Sequence, residues 1–536
     1  MYAARKPNAP LAGVTMLLAV GAGALACVLA VLPYRSFDLD RFFAPKELAL
    51  HAAALVAGIA ALASTRRLSL SRADLALVAW LSLSAISAVF ATNHWLAYRA
   101  LTVSVSGAAI FWSARAAASE GFARGLARVL ALAVVIGAIT ALAQAYGMKM
   151  EFAALNRAPG GTFGNRNFMA HLTAAGVPLI LWCIASARGK SGAILWTVSL
   201  AACTAALVLS RTRAAWLALA VSAVLAGLVA VRGPALFENT GVRRRMTLAL
   251  AAVAVGVVLA LALPNSLDWR SDNPYLDSVK GVVDFREGSG RGRLAQYANS
   301  AKMAAAHPLL GVGPGNWPVI YPAFAPSTDP SLSETTGMAA NPWPSSDWVG
   351  ALSERGVAAF LALVAFVALL LGGALQTRYD SARSADERLA AITGGGVVLI
   401  ATIAGGFDAV LLLPTPSIVV WAAAGALLTV GAERRAVSPS AARRLLLGVS
   451  FAAFTFVACV FSERRIQAMR LYEVGTSASI ESALSKEPGS YRIQMRAADY
   501  FLARGQCAKA HAHALIARAL FPYSPAPRHV LSQCKG

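Results

Sequence analysis

The sequence predicts an all-α, polytopic membrane protein with about 12–13 transmembrane helices, a long extramembrane loop and a small helical-repeat tail. Of its 536 residues, 57% are apolar and only 14% are charged, whereas an ordinary soluble domain carries about 25% charged residues. The apolar residues gather in runs of about 18 or more, each long enough to cross a hydrocarbon core of about 30 Å. These observations exclude a soluble enzyme, a disordered chain and a fibrous protein.

About thirteen apolar runs define a transmembrane domain over residues 1–461. The runs lie at 11–32, 47–64, 73–91, 100–118, 124–146, 167–187, 191–209, 214–231, 246–264, 348–374, 389–406, 409–431 and 445–461. Tyr34 and Arg35 follow the first run in place of a small-residue cleavage site, so we expect that run to be a span and not a signal peptide. Two segments remain outside the membrane, a loop at 265–347 and a tail at 462–536.

The basic residues of the short loops predict the orientation of the chain. The N-terminus and every second loop contain 21 Lys and Arg residues, and the alternate short loops contain nine. Because cytoplasmic loops carry the excess of positive charge, we expect the N-terminus in the cytoplasm. An odd number of spans then places the 265–347 loop and the tail in the periplasm. The same bias explains the net charge of +22, because most Lys and Arg residues lie in the short loops. Since no basic domain or recognition motif accompanies this charge, we expect no nucleic-acid partner.

The tail contains a repeat of 34 residues. Ala483 and Pro488 recur as Ala517 and Pro522, which is the period of a tetratricopeptide repeat. The residues that match the repeat around the second copy are Ala498, Phe501, Gly505, Ala510, Ala514, Ala517 and Pro522. The pattern predicts a tetratricopeptide-like helical tail that could bind a protein partner; the alternative is a generic alanine-rich helical hairpin.

The cysteines predict one disulfide and no metal site. Four of the six lie in apolar runs, and only Cys507 and Cys534 lie in a polar segment. If the tail is periplasmic, these two could form a disulfide, because disulfides persist in oxidising compartments. No cluster of His and Cys has the spacing of metal ligands, and we expect no cofactor.

Arginines on the predicted outer face are the candidates for substrate binding, since positive charge there opposes the topology bias. Two of them open a span, two lie at the start of a helix predicted over 292–306, and one precedes the segment GGTFGN. A guanidinium presents a planar fork of donors that suits phosphate oxygens. The alternative is that the arginines contact lipid headgroups. The residues are Arg211, Arg213, Arg291, Arg293 and Arg157, together with Arg166 directly after GGTFGN.

Six segments, in order along the chain, resemble one family. They are FFAPKEL around Lys46, RAPGGTFGNRNFMAHL at 157–172, SRTRAAWLAL at 210–219, GRGRLAQYANSAKMAAAHPLLGVGPGNW at 290–317, SSDWVGALSERG at 345–356 and FDAVLLLPTPSIVVWAAAGALL at 407–428. Together they resemble the O-antigen ligase/polymerase superfamily of bacterial membrane glycosyltransferases. The glycine-rich GVGPGN is not a phosphate loop, because no strand precedes it and no Lys-Ser/Thr follows it; we expect a tight turn.

The resemblance implies a metal-independent enzyme of the inner membrane. Such enzymes move a glycan from undecaprenyl pyrophosphate to an acceptor hydroxyl on the periplasmic face, with inversion. Arg213 and Arg293 fall on the family's two functional arginines, which hold the pyrophosphate, and Lys46 is a third candidate cation. The acceptor could be the lipid A core of lipopolysaccharide, a growing polysaccharide or a protein.

Two other classes of function remain open. The chain could be a non-catalytic family member, because Ser345 stands where the family's HND motif has its histidine. A secondary transporter would share the number of spans, but it predicts an inverted repeat and charges or broken helices at mid-membrane. Neither pattern is visible, because the charges lie at the ends of the spans.

The candidate general base departs from the family pattern. The superfamily's HND motif opens with a histidine, but here Ser345 and Ser346 stand in place of its His and Asn, and serine has no titratable base near pH 7. Asp347 could act as the base instead, or it could cap the following helix. His307 is a second candidate. The other membrane-proximal histidines, His94 and His171, are interpreted as structural.

Overall fold

The computed structural model describes residues 10–37, 39–64, 68–149, 157–232, 240–269, 271–280, 288–333, 336–428, 435–437 and 440–534. It confirms the predicted class, an all-α polytopic membrane protein. Eleven of the described helices are long and apolar enough to cross a membrane, judged by length and composition. Two more complete the set of thirteen apolar runs: α4, which has 26 residues, and the shorter apolar α15, which has 14.

The helices are α1 (Pro10–Leu29), α2 (Asp40–Ser64), α3 (Arg72–Val89), α4 (His94–Ser119), α5 (Ala123–Ala145), α6 (Arg166–Ala185), α7 (Lys190–Ser210), α8 (Arg213–Arg232), α9 (Thr240–Ala262), α10 (Pro274–Lys280), α11 (Gly288–Ala306), α12 (Trp317–Ile320), α13 (Asp347–Tyr379), α14 (Ala385–Ala404), α15 (Pro414–Leu427), α16 (Ala441–Val474), α17 (Ser477–Lys486), α18 (Tyr491–Leu502), α19 (Cys507–Leu520) and α20 (Ala526–Gln533). Two short strands, β1 (Leu68–Leu70) and β2 (Arg435–Val437), pair antiparallel. Helices α6 and α15 are buried at the centre, whereas α7, α8 and α9 expose most of their surface.

Contacts at the two ends of the helices define two faces of the molecule. On one face, β1 after α2 pairs with β2 after α15. On the other face, Glu47 near the start of α2 binds Arg99 of α4 at 2.8 Å and Arg465 of α16 at 3.0 Å. Arg465 also binds Glu487, which follows α17, at 2.6 Å. We call these the strand face and the tail face. Because Glu47 is buried, its ion pairs act in a medium of low dielectric constant.

The tail is a set of small helices packed on the tail face. Helices α18 and α19 pack through fully buried Ala498, Ala510 and Ala514, and Gly505 adopts a φ of 69° in the turn between them. Only glycine takes this left-handed conformation without strain. The helical hairpin agrees with the sequence, while its assignment to the tetratricopeptide family stays a prediction.

The predicted disulfide between Cys507 and Cys534 is present, with a Cα–Cα distance of 5.2 Å. The pairing links the start of α19 to the end of α20. The chain folds back through α20 to bring the two cysteines together.

The described parts of the 265–347 loop fold onto the tail face. Its predicted helix at 292–306 is observed as α11, which starts a few residues earlier. The GVGPGN segment makes the expected tight turn, with a φ of 97° at Gly313 and 69° at Gly315. The Gly315 amide donates to the Glu354 carboxylate in α13 at 2.9 Å, and the Asn93 amide before α4 donates to Asn316 at 2.7 Å.

Reporter fusions test which face is periplasmic. Alkaline phosphatase fused after Pro330 or Gly475 is expected to be active, because the charge bias places both positions outside the cytoplasm. A reporter that works only in the cytoplasm should be silent at the same positions and active after Arg232. Phosphatase activity after Arg232, with none after the other two positions, would reverse the orientation.

Candidate active site

A buried carboxylate lies where several elements meet on the tail face. Asp408, in the segment between α14 and α15, accepts a hydrogen bond from the Asn167 side-chain amide at 3.0 Å and one from His171 Nε2 at 3.4 Å. Its other oxygen accepts the Ala409 amide at 2.9 Å. Burial alone would raise the pKa of Asp408, but the His171 hydrogen bond and the charges of His171 and Arg293 outweigh it and lower that pKa. Asp408 is therefore ionised at neutral pH.

One of the two arginines singled out by the sequence, Arg293, acts on this carboxylate, and the other, Arg213, directly follows a residue of the same polar cluster. Thr212, which precedes Arg213 at the start of α8, donates to the Asn167 side-chain oxygen at 3.3 Å. Arg293, on the second turn of α11, acts electrostatically on both Asp408 and Tyr297. Both arginine side chains are partly exposed. The structure thus brings the elements that carry Arg213 and Arg293 to one polar cluster.

Tyr297 holds two neighbouring backbone segments against each other. Its hydroxyl lies 2.8 Å from the carbonyl oxygens of both Ser345 and Gly406. Burial raises the pKa of Tyr297 to about 12, although the Arg293 charge opposes that rise. The phenol is therefore neutral at physiological pH, and it fixes α11 against the segment that carries Asp408.

Asp347 holds the same segment from the other side. Its carboxylate accepts the backbone amides of residues 410–412 at 2.9–3.2 Å, and its own amide donates to the Gly405 carbonyl. The prediction that Asp347 caps α13 is wrong, because Ser346 occupies the N-cap position and accepts the Val349 amide. The hydrogen bonds from the amides of residues 410–412 to Asp347 keep residues 409–413 out of the helix that the apolar run at 409–431 predicts. The role of Asp347 as a base stays a prediction, but its contacts are those of a positioning residue.

Asp347→Asn separates these two roles. An amide in place of the carboxylate removes the charge and points an NH2 group at backbone donors, so a positioning role predicts a loss of about 2 kcal/mol of unfolding free energy. Thermal unfolding and transfer should then both suffer. Loss of transfer with wild-type thermal stability would instead show that Asp347 is the base.

His307 and Arg291 do not reach the polar cluster. His307 follows the last residue of α11, fourteen positions after Arg293, which corresponds to roughly 21 Å along a helix axis. The His307 side chain is exposed, and its ring faces Phe324 at 6.4 Å. Arg291 is exposed at the start of the same helix. Because α11 is long, Arg293 near its start and His307 just after its end lie far apart.

Two further cations predicted to bind substrate are Lys46 and Arg157, and they lie in different environments. Lys46 is fully buried in α2, where its ammonium donates to the Val28 carbonyl at 3.1 Å and lies 4.9 Å from the Phe163 ring centroid. This environment ties α2 to α1 and does not present the charge to a ligand. Arg157 is partly exposed, and its carbonyl accepts the Arg166 amide. Its role in binding stays a prediction.

The sequence motifs did not point to Asp408 or Asn167 as site residues, and His171 was interpreted as structural. One signal for Asp408 was available, because it lies between two apolar runs. A carboxylate in the membrane is energetically unfavourable unless polar groups stabilise it, so such a residue is a candidate for a functional role. The pairing itself could not be read, because His171 and Asp408 are 237 positions apart.

The fold and the cluster define a polytopic membrane protein that brings arginines and a buried carboxylate together where its spans end. Residues 198–364 match the model of the O-antigen ligase family. This match supports the resemblance to the O-antigen ligase superfamily, whose members are membrane glycosyltransferases of the ligase and polymerase type. The matched region contains Arg213, Arg293 and Asp347, whereas Lys46 and Asp408 lie outside it. No curated protein matches the chain.

Proposed function

We propose that the protein transfers a glycan from undecaprenyl pyrophosphate to an acceptor hydroxyl at the periplasmic face of the inner membrane. The observation that carries this proposal is the ionised, buried Asp408, which Arg293 affects electrostatically and to whose partner Asn167 the start of α8, with Arg213, is hydrogen-bonded. The tail disulfide supports a periplasmic tail face, because such bonds persist in oxidising compartments.

The arginines suit the leaving group of this reaction. When the bond between the sugar and the pyrophosphate breaks, negative charge grows on the bridging oxygen. Preorganised guanidinium donors stabilise that charge more in the transition state than in the ground state. Arg213 and Arg293 come from different elements, α8 and α11, so a diphosphate between them would be held from two sides.

Asp408 suits the acceptor. Its carboxylate takes the proton of the acceptor hydroxyl while the oxygen attacks the anomeric carbon from the side opposite to the pyrophosphate, which inverts the configuration. The sugar–phosphate bond breaks, and undecaprenyl pyrophosphate leaves with its electron pair. His171 and Asn167 fix one oxygen of Asp408, so the carboxylate keeps its orientation during the transfer. In this proposal Asp408 takes the role of the histidine that the family carries at the position of Ser345.

Transfer to a protein acceptor is the second candidate, and one contact favours it. The tail reaches the long loop, because a Cβ atom at Gly337 would lie 3.2 Å from Pro525 of the tail. A helical tail beside the site offers a surface that could hold a protein acceptor. Lipopolysaccharide core and growing polysaccharide remain the alternatives that need no such surface.

A reconstituted transfer assay tests the proposal. The purified protein in liposomes receives a fluorescent glycan on undecaprenyl pyrophosphate, together with lipid A core, a polysaccharide primer or a candidate acceptor protein. Fluorescence should move to one acceptor with the wild type and to none with Arg213→Ala. A wild type that leaves every donor intact would favour the non-catalytic reading, and uptake of free substrate would favour a transporter.

A further inference from the structure

A second group of positive charges adjoins the polar cluster, because Arg166 and Arg211 directly precede Asn167 and Thr212 of that cluster. The guanidinium of Arg211 lies 4.6 Å from the centroid of the Trp269 ring, and that of Arg166 lies 5.1 Å from it. Arg211 also donates from Nε to the Ser278 hydroxyl at 2.8 Å. Its φ of 54° makes it the one non-glycine residue with positive φ among those described. Such strained conformations cluster at ligand-binding positions.

The charges of this pair lack a carboxylate partner in the described part of the chain. Elsewhere on the tail face, Arg99 and Arg465 are both neutralised by ion pairs to buried Glu47. Neither Arg166 nor Arg211 forms an ion pair with a described residue. Two guanidiniums that share one indole repel each other, and partly buried charges of this kind are normally compensated.

The surroundings of Arg211 offer hydrogen-bond donors. Among the described residues, Trp269 Nε1 and the Tyr275 hydroxyl are buried without a hydrogen-bond partner, and Tyr275 acts electrostatically on Arg211. Asp277 also acts on Arg211 electrostatically, from beyond ion-pair distance. An anion with several acceptor oxygens would satisfy these donors and offset the repulsion.

We propose that Arg166 and Arg211, stacked on Trp269, form a second anion site that binds a phosphate group of a membrane lipid. Helices α8 and α9, beside this site, expose most of their surface, so a lipid can approach it from the bilayer. The phosphate belongs either to the lipid-linked glycan donor, in which case the inference rests on the proposed function, or to an anionic phospholipid. The site uses two arginines other than Arg213 and Arg293, although the Arg213 charge acts on Arg211.

Binding to protein in nanodiscs of phosphatidylcholine tests this site without requiring transfer. One arm titrates undecaprenyl pyrophosphate, and the other mixes phosphatidylglycerol into the disc and measures Tm. The double variant Arg166→Gln/Arg211→Gln should bind one of the two lipids about tenfold more weakly, or more. Arg518→Gln, an exposed change in the tail, is the matched control and should bind like the wild type. If the double variant fails to fold, Arg166→Gln alone leaves the Arg211–Ser278 bond intact.

The two arms identify the lipid. Weaker binding of undecaprenyl pyrophosphate alone assigns the site to the donor, and loss of the Tm rise with phosphatidylglycerol alone assigns it to a phospholipid. Unchanged responses in both arms would overturn the site and leave the arginines with a structural role only, through their contacts with Trp269 and Ser278. A wild type that ignores undecaprenyl pyrophosphate would refute the proposed donor, while the phosphatidylglycerol arm would still test the site.

Discussion

Replacing Arg213 or Arg293 with alanine is expected to lower glycan transfer by about 10²–10³-fold, because each side chain would stabilise charge on the departing pyrophosphate. Lysine at either position should restore only part of the activity, since an ammonium keeps the charge but loses the planar fork of donors. The measurement is the initial rate of transfer in liposomes, with protein amount and Tm determined for each variant.

The control for these variants is Arg291→Ala, which removes a neighbouring exposed arginine of α11. The sequence predicts that Arg291 also binds pyrophosphate, but its side chain is exposed. Comparing Arg291→Ala with Arg293→Ala therefore distinguishes a specific role of Arg293 from a general effect of positive charge on α11. Equal losses at Arg291 and Arg293 would point to a diffuse electrostatic effect. Full activity of both Arg213→Ala and Arg293→Ala would refute the proposed site.

Asp408→Asn should lower transfer by about 10²–10⁴-fold, the range typical of a lost general base. The amide has nearly the same shape as the carboxylate, but its NH2 group faces a hydrogen-bond donor in either orientation, so the amount of inserted protein and its Tm are measured beside the rate. The measurement is kcat for transfer at saturating donor, because a base affects the chemical step more than substrate binding. An Asp408→Asn protein with a wild-type kcat would return the search to Asp347.

His171 provides the matched comparison for Asp408. Gln at this position can place an amide donor near the position of Nε2, whereas Ala cannot. His171→Gln should therefore keep more of kcat than His171→Ala at a similar Tm. Equal kcat values in these two variants would mean that His171 only fills space.

The spans could be predicted because membrane crossing imposes a simple requirement on sequence, a long apolar run between polar loops. Each predicted run contains one helix, and most bounds differ by only a few residues. The largest discrepancies have local causes. The 409–431 run lost its first turn to the bonds from Asp347, and α16 extends to Val474 beyond the apolar run, where Arg465 finds acidic partners.

The candidate site was only partly predictable. Arg213 and Arg293 were found because they lie in motifs that resemble a family. Lys46 lies in such a motif too, yet its burial follows from packing that no local pattern encodes. Asp408 and His171 meet because α6 and α14 lie side by side, and one sequence without relatives carries no signal of that proximity.

The contacts that define the two faces also set an order for biogenesis. Strand β1 cannot pair until β2 has been synthesised, and Glu47 cannot bind Arg465 until the chain has grown by a further 418 residues. Contacts with such sequence separation form late in folding. A chain that ends before α16 would contain most of the spans, but Glu47 would lack its partner Arg465. A chain truncated before α16 is therefore expected to be less stable than the full-length protein, because buried Glu47 keeps Arg99 but loses its second guanidinium partner.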